Sequence, residues 1–454
     1  MNKHLIRFSI FFSLLFGVLA GSSQVHAGFN NRDWTNSRGN SRNWMAGLRD
    51  DVRMSQLSIP GTHNSGADHG IPQVRTQSTS IARQLNNGHR LLDIRVRETN
   101  GVFAIHHGAV YLGQMYGDVL NTVGNFLRAN PNEVVYMRLK QEHSAVSDAV
   151  FNRVLNERYL NDPRWRDFFY YANGNNNPTL GQTRGKIVIL RNFLGNSVGI
   201  PYPAAFNIQD NWNVSRFGVK RQAIHGQMIN SRNSLGENGI TYINFTSAAH
   251  VLTPPISFAR ELNGVVLNHM IQRYRGHMGM VVTDFANEAF VNSIIDLNQR
   301  LRVGANMNAL FNGYRVSIQS VMDPWQVVDW RQQSSNNNAA MFRNLGRRNQ
   351  KWYLDHIAGT NRYRITSDAD GNRRLAVTGN NVVVSNLTNE SAQWEIVRNG
   401  WHTNGTVVFL RNVANGNVLD IEESVLPYGN LITHPQKNTN NNNQRFILHI
   451  EGRR

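Results

Sequence analysis

Eight short apolar stretches recur between residues 56 and 283, and no other feature restricts the fold of this chain as much. They are Gln56–Ile59, Arg90–Val96, Val102–His106, Glu133–Leu139, Lys186–Leu190, Ala205–Gln209, Thr241–Phe245 and Met278–Thr283. Their length and spacing read as strands. Helical periodicity fills several of the gaps, at Tyr116–Arg128, Ser147–Leu155 and Glu288–Leu301, while the gap between the second and third stretches suits a hairpin-like link. Apolar strands alternating with helices predict an α/β domain with a parallel sheet, and eight of them predict a TIM-like, imperfect (βα)8 barrel.

Such a barrel opens all its strand ends on one face, so residues far apart in sequence converge there. The first stretch breaks at a predicted Pro60-Gly61 turn and delivers His63. The second carries Asp93 and Arg95, and the third ends in His106-His107. Lys140, Arg191, Asp210 with Trp212, and Asp284 follow the fourth, fifth, sixth and eighth. Two imidazoles, a guanidinium and a carboxylate at one mouth suit phosphodiester chemistry. One imidazole takes a proton from an attacking hydroxyl and the other gives one to the leaving oxygen. The guanidinium holds two phosphate oxygens, and the carboxylate fixes the tautomer of the base. Structural readings stand beside these: His106 as a packing residue, Lys140 and Arg191 as solvated strand-end charges, Asp93 as the partner of an arginine.

Length and composition bound the rest. A chain of 454 residues accommodates two or three domains with their own cores. Lys3, His4 and Arg7 precede the apolar run Phe8 to Ala20, and Val25-His26-Ala27 supplies small residues, so residues 1–27 read as a secretory signal cut after Ala27. No other stretch reaches about 18 apolar residues, which predicts a soluble, secreted mature protein. The absence of cysteine excludes disulfides, thiolate chemistry and zinc–cysteine sites. A formal charge of +17 calls for an anionic partner. The basic residues are scattered rather than clustered, which favours an acidic membrane surface over nucleic acid.

The motifs LSIPGTHNSG, LLDIRVR, AIHHGAVYLG, PNEVVYMRLKQEH, NIQDNW and MVVTDFANE, in this order between about residues 45 and 303, resemble bacterial phosphatidylinositol-specific phospholipase C, the X-type catalytic domain. The resemblance implies His63 as general base on the inositol 2-hydroxyl, His107 as general acid toward the diacylglycerol oxygen, Arg95 on the phosphate and Asp284 behind His63. It implies inositol-ring contacts from Lys140, Arg191, Asp210 and Trp212, with inositol 1,2-cyclic phosphate and diacylglycerol as products. Glycosylated phosphatidylinositol anchors are a further substrate class of the family.

Two positions depart from the family pattern. Asn64 stands where bacterial members carry an aspartate that positions the arginine and where calcium-dependent relatives carry a metal-binding asparagine. The dependent relatives also need carboxylates at the positions of Arg95 and Lys140; cations there repel a hard divalent ion, so no metal and no cofactor are expected. Arg95 then needs another carboxylate, with Asp93 as a candidate. Trp212 replaces a tyrosine and can still stack on a ring face.

After Leu301-Arg302-Val303 the helical pattern stops, and short strands alternate with Asn/Gly-rich turns. Gln350-Lys351-Trp352, Ala392-Gln393-Trp394 and Gln444-Arg445-Phe446 mark three repeats. They resemble the Gln-x-Trp repeats of ricin-type β-trefoil lectins, over about residues 305–454. The resemblance implies a carbohydrate site in the third repeat, at Asp420, His434 and Asn443; Asp420 capping a turn in a structural module is the alternative. The expected organisation is thus a signal (1–27), a catalytic barrel (28–303) and an all-β lectin-like domain (304–454). The expected partners are phosphatidylinositol-containing membranes, met transiently through Trp44 or loop aromatics, and surface glycans. A metal-dependent glycerophosphodiester-type enzyme and a catalytically decayed binding protein remain as alternatives.

Overall fold

The computed structural model describes residues 42–143, 145–250, 253–271, 276–332 and 337–454. The predicted signal, residues 1–27, lies outside them. Ten strands form the first sheet: β1 (Ile59–Thr62), β2 (Leu91–Thr99), β3 (Val102–His107), β4 (Val110–Met115), β5 (Val135–Gln141), β6 (Ile187–Asn192), β7 (Ile200–Pro201), β8 (Phe206–Gln209), β9 (Thr241–Phe245) and β10 (Met280–Thr283). Eight of them run in the order β7-β6-β5-β2-β1-β10-β9-β8, every pairing parallel. β7 and β8 do not pair, so the barrel is open at that seam.

The eight parallel strands are not the eight expected. The third stretch forms β3, which pairs antiparallel with β2 and β4 in a side hairpin. Its place is taken by β7, whose two residues are too few to show a period. Pro60-Gly61 is not a turn but lies inside β1, between β2 and β10. A Cβ on Gly61 would sit 2.9 Å from the Leu91 Cβ, so glycine lets β1 and β2 approach there. The chain turns later, at Asn64, whose φ of 43° is a left-handed conformation that asparagine tolerates better than most residues.

Side-chain alternation along the strands separates two apolar layers. Leu92, Ile94, Met137, Leu139, Ile187 and Ile189 face the helices, among them α1 (Ile81–Asn86) and α2 (Tyr116–Ala129). Leu91, Tyr136, Val188, Leu190, Ile243 and Val282 fill the barrel interior. The expected helices form as α2, α3 (Asp148–Leu155), capped where Ser147 Oγ accepts the Val150 N–H at 3.3 Å, and α7 (Glu288–Asp296), capped by Asn287. Between α3 and α7 lie α4 (Leu180–Thr183), α5 (Phe217–Ser234) and α6 (Pro255–Val265). Trp44, an expected membrane contact, is instead buried, with its indole N–H donating to the Gly88 carbonyl at 3.0 Å.

The second sheet is entirely antiparallel: β11 (Tyr314–Ser320), β12 (Gln326–Trp330), β13 (Ala339–Arg343), β14 (Trp352–His356), β15 (Arg362–Ser367), β16 (Arg374–Thr378), β17 (Asn381–Ser385), β18 (Trp394–His402), β19 (Gly405–Asn412), β20 (Val418–Ile421), β21 (Leu431–His434) and β22 (Phe446–Arg453). β11, β14, β15, β18, β19 and β22 pair in a closed ring, which leaves them no free edge. β12–β13, β16–β17 and β20–β21 are three further hairpins. The two sheets meet along α5: Leu235, just past its end, belongs to the second core, the Ile450 N–H donates to Asn233 Oδ1 at 3.0 Å, and Arg398 pairs with Glu237 at 3.0 Å.

Candidate active site

Alternation along β2 sends Asp93 and Arg95 to the barrel interior, and parallel register sets them beside Arg138 and Lys140 of β5. His63 leaves the end of β1, and its carbonyl accepts from Gln77 Nε2 at 2.8 Å and Thr76 Oγ1 at 3.1 Å. Asp284 follows β10 in the adjoining register. Its Oδ1 lies 2.8 Å from His63 Nδ1, while Arg95 Nη2 lies 2.8 Å from His63 Nε2. A guanidinium only donates, so Nε2 presents a lone pair and the ring proton sits on Nδ1, facing Asp284. That is the tautomer of a general base.

His107, at the end of β3, faces His63 with ring centroids 6.4 Å apart and planes at 83°. Its Nδ1 lies 2.6 Å from the Val74 carbonyl, which fixes the proton there and leaves Nε2 to exchange with a ligand. Burial lowers the affinity of this ring for a second proton, His63 and Arg95 lower it further, and the Val74 carbonyl opposes them. An anion held between the two rings would raise it again. His106 turns away and packs on Tyr111, in agreement with its structural reading.

Arg95 has two carboxylate partners, Asp93 Oδ2 at 3.1 Å from Nε and Glu142 Oε1 at 3.3 Å from Nη1. Burial alone would weaken its hold on its proton, but these two carboxylates raise it above the ordinary guanidinium range. Burial would likewise raise the Asp93 carboxyl, yet Arg95 and Arg138 hold it well below the usual carboxylate range. Asp93 also accepts the Asn64 backbone N–H at 3.0 Å. The Asn64 side chain, expected in the catalytic set, is buried with neither amide atom hydrogen-bonded among the described residues. Its contribution to the arginine runs through its backbone.

Two residues outside the sequence-derived set complete the cluster. Glu142 joins Arg95 to Lys140, at 3.3 Å, and accepts the Gly108 N–H at 3.1 Å, tying the His107 hairpin to the arginine. Arg138 spans Asp93 Oδ1 at 3.3 Å and Asn192 Oδ1 at 2.9 Å, with its guanidinium over the rings of Tyr202 and Phe245. Arg191 is not brought in. Its register partner is Leu139, which faces the helices, so alternation directs Asn192 to the interior instead. Asp210 and Trp212 follow β8 and are exposed at the mouth, Trp212 at 57 %. Among the described residues no three histidines or carboxylates group in a way that could hold a metal ion.

Residues 52–193 match the family described as phosphatidylinositol-specific phospholipase C, X domain. A 1-phosphatidylinositol phosphodiesterase of Listeria monocytogenes is 30% identical over 287 residues, covering 57% of this chain and 86% of that protein. The chain belongs to the phosphatidylinositol-specific phospholipase C family. A second member, the 1-phosphatidylinositol phosphodiesterase of Staphylococcus aureus strain Newman, is 26% identical over 296 residues, 57% of this chain and 94% of that one. The solved structure of the Listeria monocytogenes phospholipase C superposes with a TM-score of 0.50 at 27% identity, covering 57% of this chain and 99% of that chain. A Staphylococcus aureus phospholipase C structure gives 0.51 at 26% identity, covering 57% and 98%. In this phospholipase C-type enzyme neither His63 nor His107 is fully buried; the His63 side chain retains 15% exposure.

In the second sheet Asp420 and Asn443 meet: Asn443 Nδ2 donates to Asp420 Oδ1 and Gln444 Nε2 to Oδ2, both at 2.8 Å. Burial raises the Asp420 carboxyl and these amides oppose it. His434 pairs with Val418, two residues before Asp420. The register repeats in β12–β13, where Gln350 Nε2 donates to Asp329 Oδ2 at 2.9 Å and Phe342 pairs with Val327, two residues before Asp329. The Trp352 and Trp394 indoles donate to the carbonyls of Val328 and Leu375, so Ala376 stands in the second repeat where Asp329 stands in the first.

Proposed function

We infer that the protein cleaves phosphatidylinositol by attack of the inositol 2-hydroxyl on its own phosphate. The observation that carries this is the chain Asp284–His63–Arg95 with His107 facing it. His63 Nε2 takes the 2-hydroxyl proton, that oxygen bonds to phosphorus, and the phosphorus–oxygen bond to diacylglycerol breaks as His107 gives its proton to the leaving oxygen. Arg95 turns its donors to the phosphate, where charge builds, and Asp284 stabilises the imidazolium. The products are inositol 1,2-cyclic phosphate and diacylglycerol. Lys140, Asp210 and Trp212 are read as the inositol-ring contacts. The reaction is read as metal-independent, because Arg95 and Lys140 would repel a divalent ion. Glycosylated phosphatidylinositol is a substrate of the same chemistry.

Ile71, Tyr111, Leu194, Trp212 and Phe217 are exposed on segments that follow the mouth-side strand ends. They support a transient, peripheral contact with the bilayer that holds the substrate. The second sheet is read as a ricin-type β-trefoil, supported by its closed six-strand ring and its three groups of four strands. Its carbohydrate sites are assigned to Asp420, His434 and Asn443, and by equal register to Asp329, Phe342 and Asn349. Secretion through residues 1–27 would bring both units to cell surfaces, where glycan binding raises the local concentration of substrate.

Phosphatidylinositol in mixed micelles with chelator, followed by phosphorus NMR, tests the catalytic reading. A cyclic phosphate is expected, lost in His63→Ala and His107→Ala. Turnover only with added metal, or none, overturns it. Absence of binding on a glycan array, with unchanged activity on intact cells for Asp420→Ala, overturns the carbohydrate reading.

A further inference from the structure

Lys220 is the one lysine whose side chain is shut inside the catalytic unit among the described residues, with 0% exposure. It sits in the first turn of α5, and its ammonium donates to the Asn211 carbonyl at 2.8 Å and to Gln209 Oε1 at 3.3 Å. The same Gln209 oxygen accepts the Asn211 N–H at 2.8 Å, and its amide nitrogen donates to Asn244 Oδ1 at 2.8 Å and to the Phe245 carbonyl at 2.9 Å. Burying an ammonium is costly unless charge and hydrogen bonds offset it. The acidic groups that face Lys220 are Asp210, beyond β8, and Asp284, beyond β10. Neither lies within ion-pair distance, so Lys220 spends its donors on one backbone carbonyl and one side-chain amide of the 209–212 segment and its charge on two carboxylates of the site.

We propose that Lys220 is a positioning residue that holds the Gln209–Trp212 segment in place, so that Asp210 and Trp212 present a fixed receptor to the inositol ring. This rests on the proposed assignment of those two residues to the ring. Burial lowers the Lys220 ammonium to about 8, opposed by Asp210 and Asp284. Its grip is therefore strongest below that pH and weakens as the proton leaves above it. Because the segment binds the ring and does not touch the reacting atoms, its loosening raises KM more than it lowers kcat.

The test compares the full-length protein with Lys220→Met, which keeps the volume without donors, and Lys220→Arg, which restores them. Hydrogen exchange at the amides of 209–213 is read alongside steady-state kinetics on phosphatidylinositol micelles. The expected result for Lys220→Met is exchange at least about tenfold faster in that segment only, with KM raised about tenfold and kcat changed less than about threefold. Wild-type KM should climb above about pH 8, a climb absent in Lys220→Met, and Lys220→Arg should recover part of the protection. Unchanged exchange in 209–213 overturns the proposal, and so does a loss confined to kcat or spread over the whole chain. If wild type turns over no phosphatidylinositol, the substrate reading fails, and the exchange result alone decides whether Lys220 holds the segment.

Discussion

Arg95 Nη2 stands 2.8 Å from His63 Nε2, so the group proposed to bind phosphate rests on the lone pair proposed to take a proton. Each group occupies the other, and two carboxylates hold the guanidinium in place. Arg95→Lys retains the charge but loses the planar fork. Its kcat should fall about 10²–10³-fold with a smaller change in KM, measured on phosphatidylinositol micelles. A loss below about tenfold would remove Arg95 from the transition state.

Asp284→Asn should be among the most damaging isosteric changes. The amide can present its nitrogen to His63 Nδ1, which moves the ring proton to Nε2 and takes away the lone pair. A drop of about 10⁴-fold in kcat is expected, as for the matching change in a serine-protease triad, with an unaltered thermal midpoint.

Asn64→Gly should be nearly silent in turnover. Glycine keeps the φ of 43° and the backbone N–H to Asp93, and removes two buried amide atoms that make no hydrogen bond among the described residues. Its kcat should stay within about threefold of wild type, whereas Asn64→Ala should lose about 1–2 kcal/mol of stability to left-handed strain. A large kcat loss in the glycine variant would restore a direct role for the amide.

Acid should destabilise the barrel through His89. Burial lowers this imidazole from 6.5 to about 4, with the Gln84 carbonyl opposing and Arg90 adding to it. Above pH 6.5 neither state is protonated and the full stability is present. Between 6.5 and 4 the unfolded chain binds a proton that the folded chain refuses, so stability falls with pH by up to about 3 kcal/mol. Urea titrations across that window should show the slope, and His89→Gln should reduce it, leaving the part contributed by His277, which burial also lowers well below 6.5.

Gln444→Ala should cost about 1–3 kcal/mol, because Asp420 Oδ2 is buried and loses its donor. The double variant Asp420→Ala/Gln444→Ala should recover part of that loss. The second repeat already has this arrangement, with Ala376 and Ala392 in the corresponding places. Strict additivity in the double-mutant cycle would contradict the coupling.

Most strands of the barrel were legible because they are apolar runs, and His63, His107 and Asp284 because each follows one, whereas Arg95 lies inside β2 and was singled out as the guanidinium of the family motif. What the sequence hid has physical causes. The closing strand β7 is two residues long, and β3 belongs to a hairpin that borrows the same apolar pattern. Arg191 was one residue out of phase, a distinction that only pairing register reveals. Arg138 was missed because it is a buried charge in the middle of the apolar strand β5, and Glu142 because it lies just past the end of that strand, two residues after the assigned Lys140. Helix α5 has no apolar stripe: its buried face includes Lys220, Gln227, Ser231 and Arg232, which a binary pattern counts as outward.

That same helix bridges the two sheets. Its 18 residues extend about 27 Å from the lip of the catalytic mouth to the backbone of β22. A catalytic barrel grafted without its companion would leave the far end of this helix without the Asn233 and Glu237 contacts that tie it to the twelve-stranded unit.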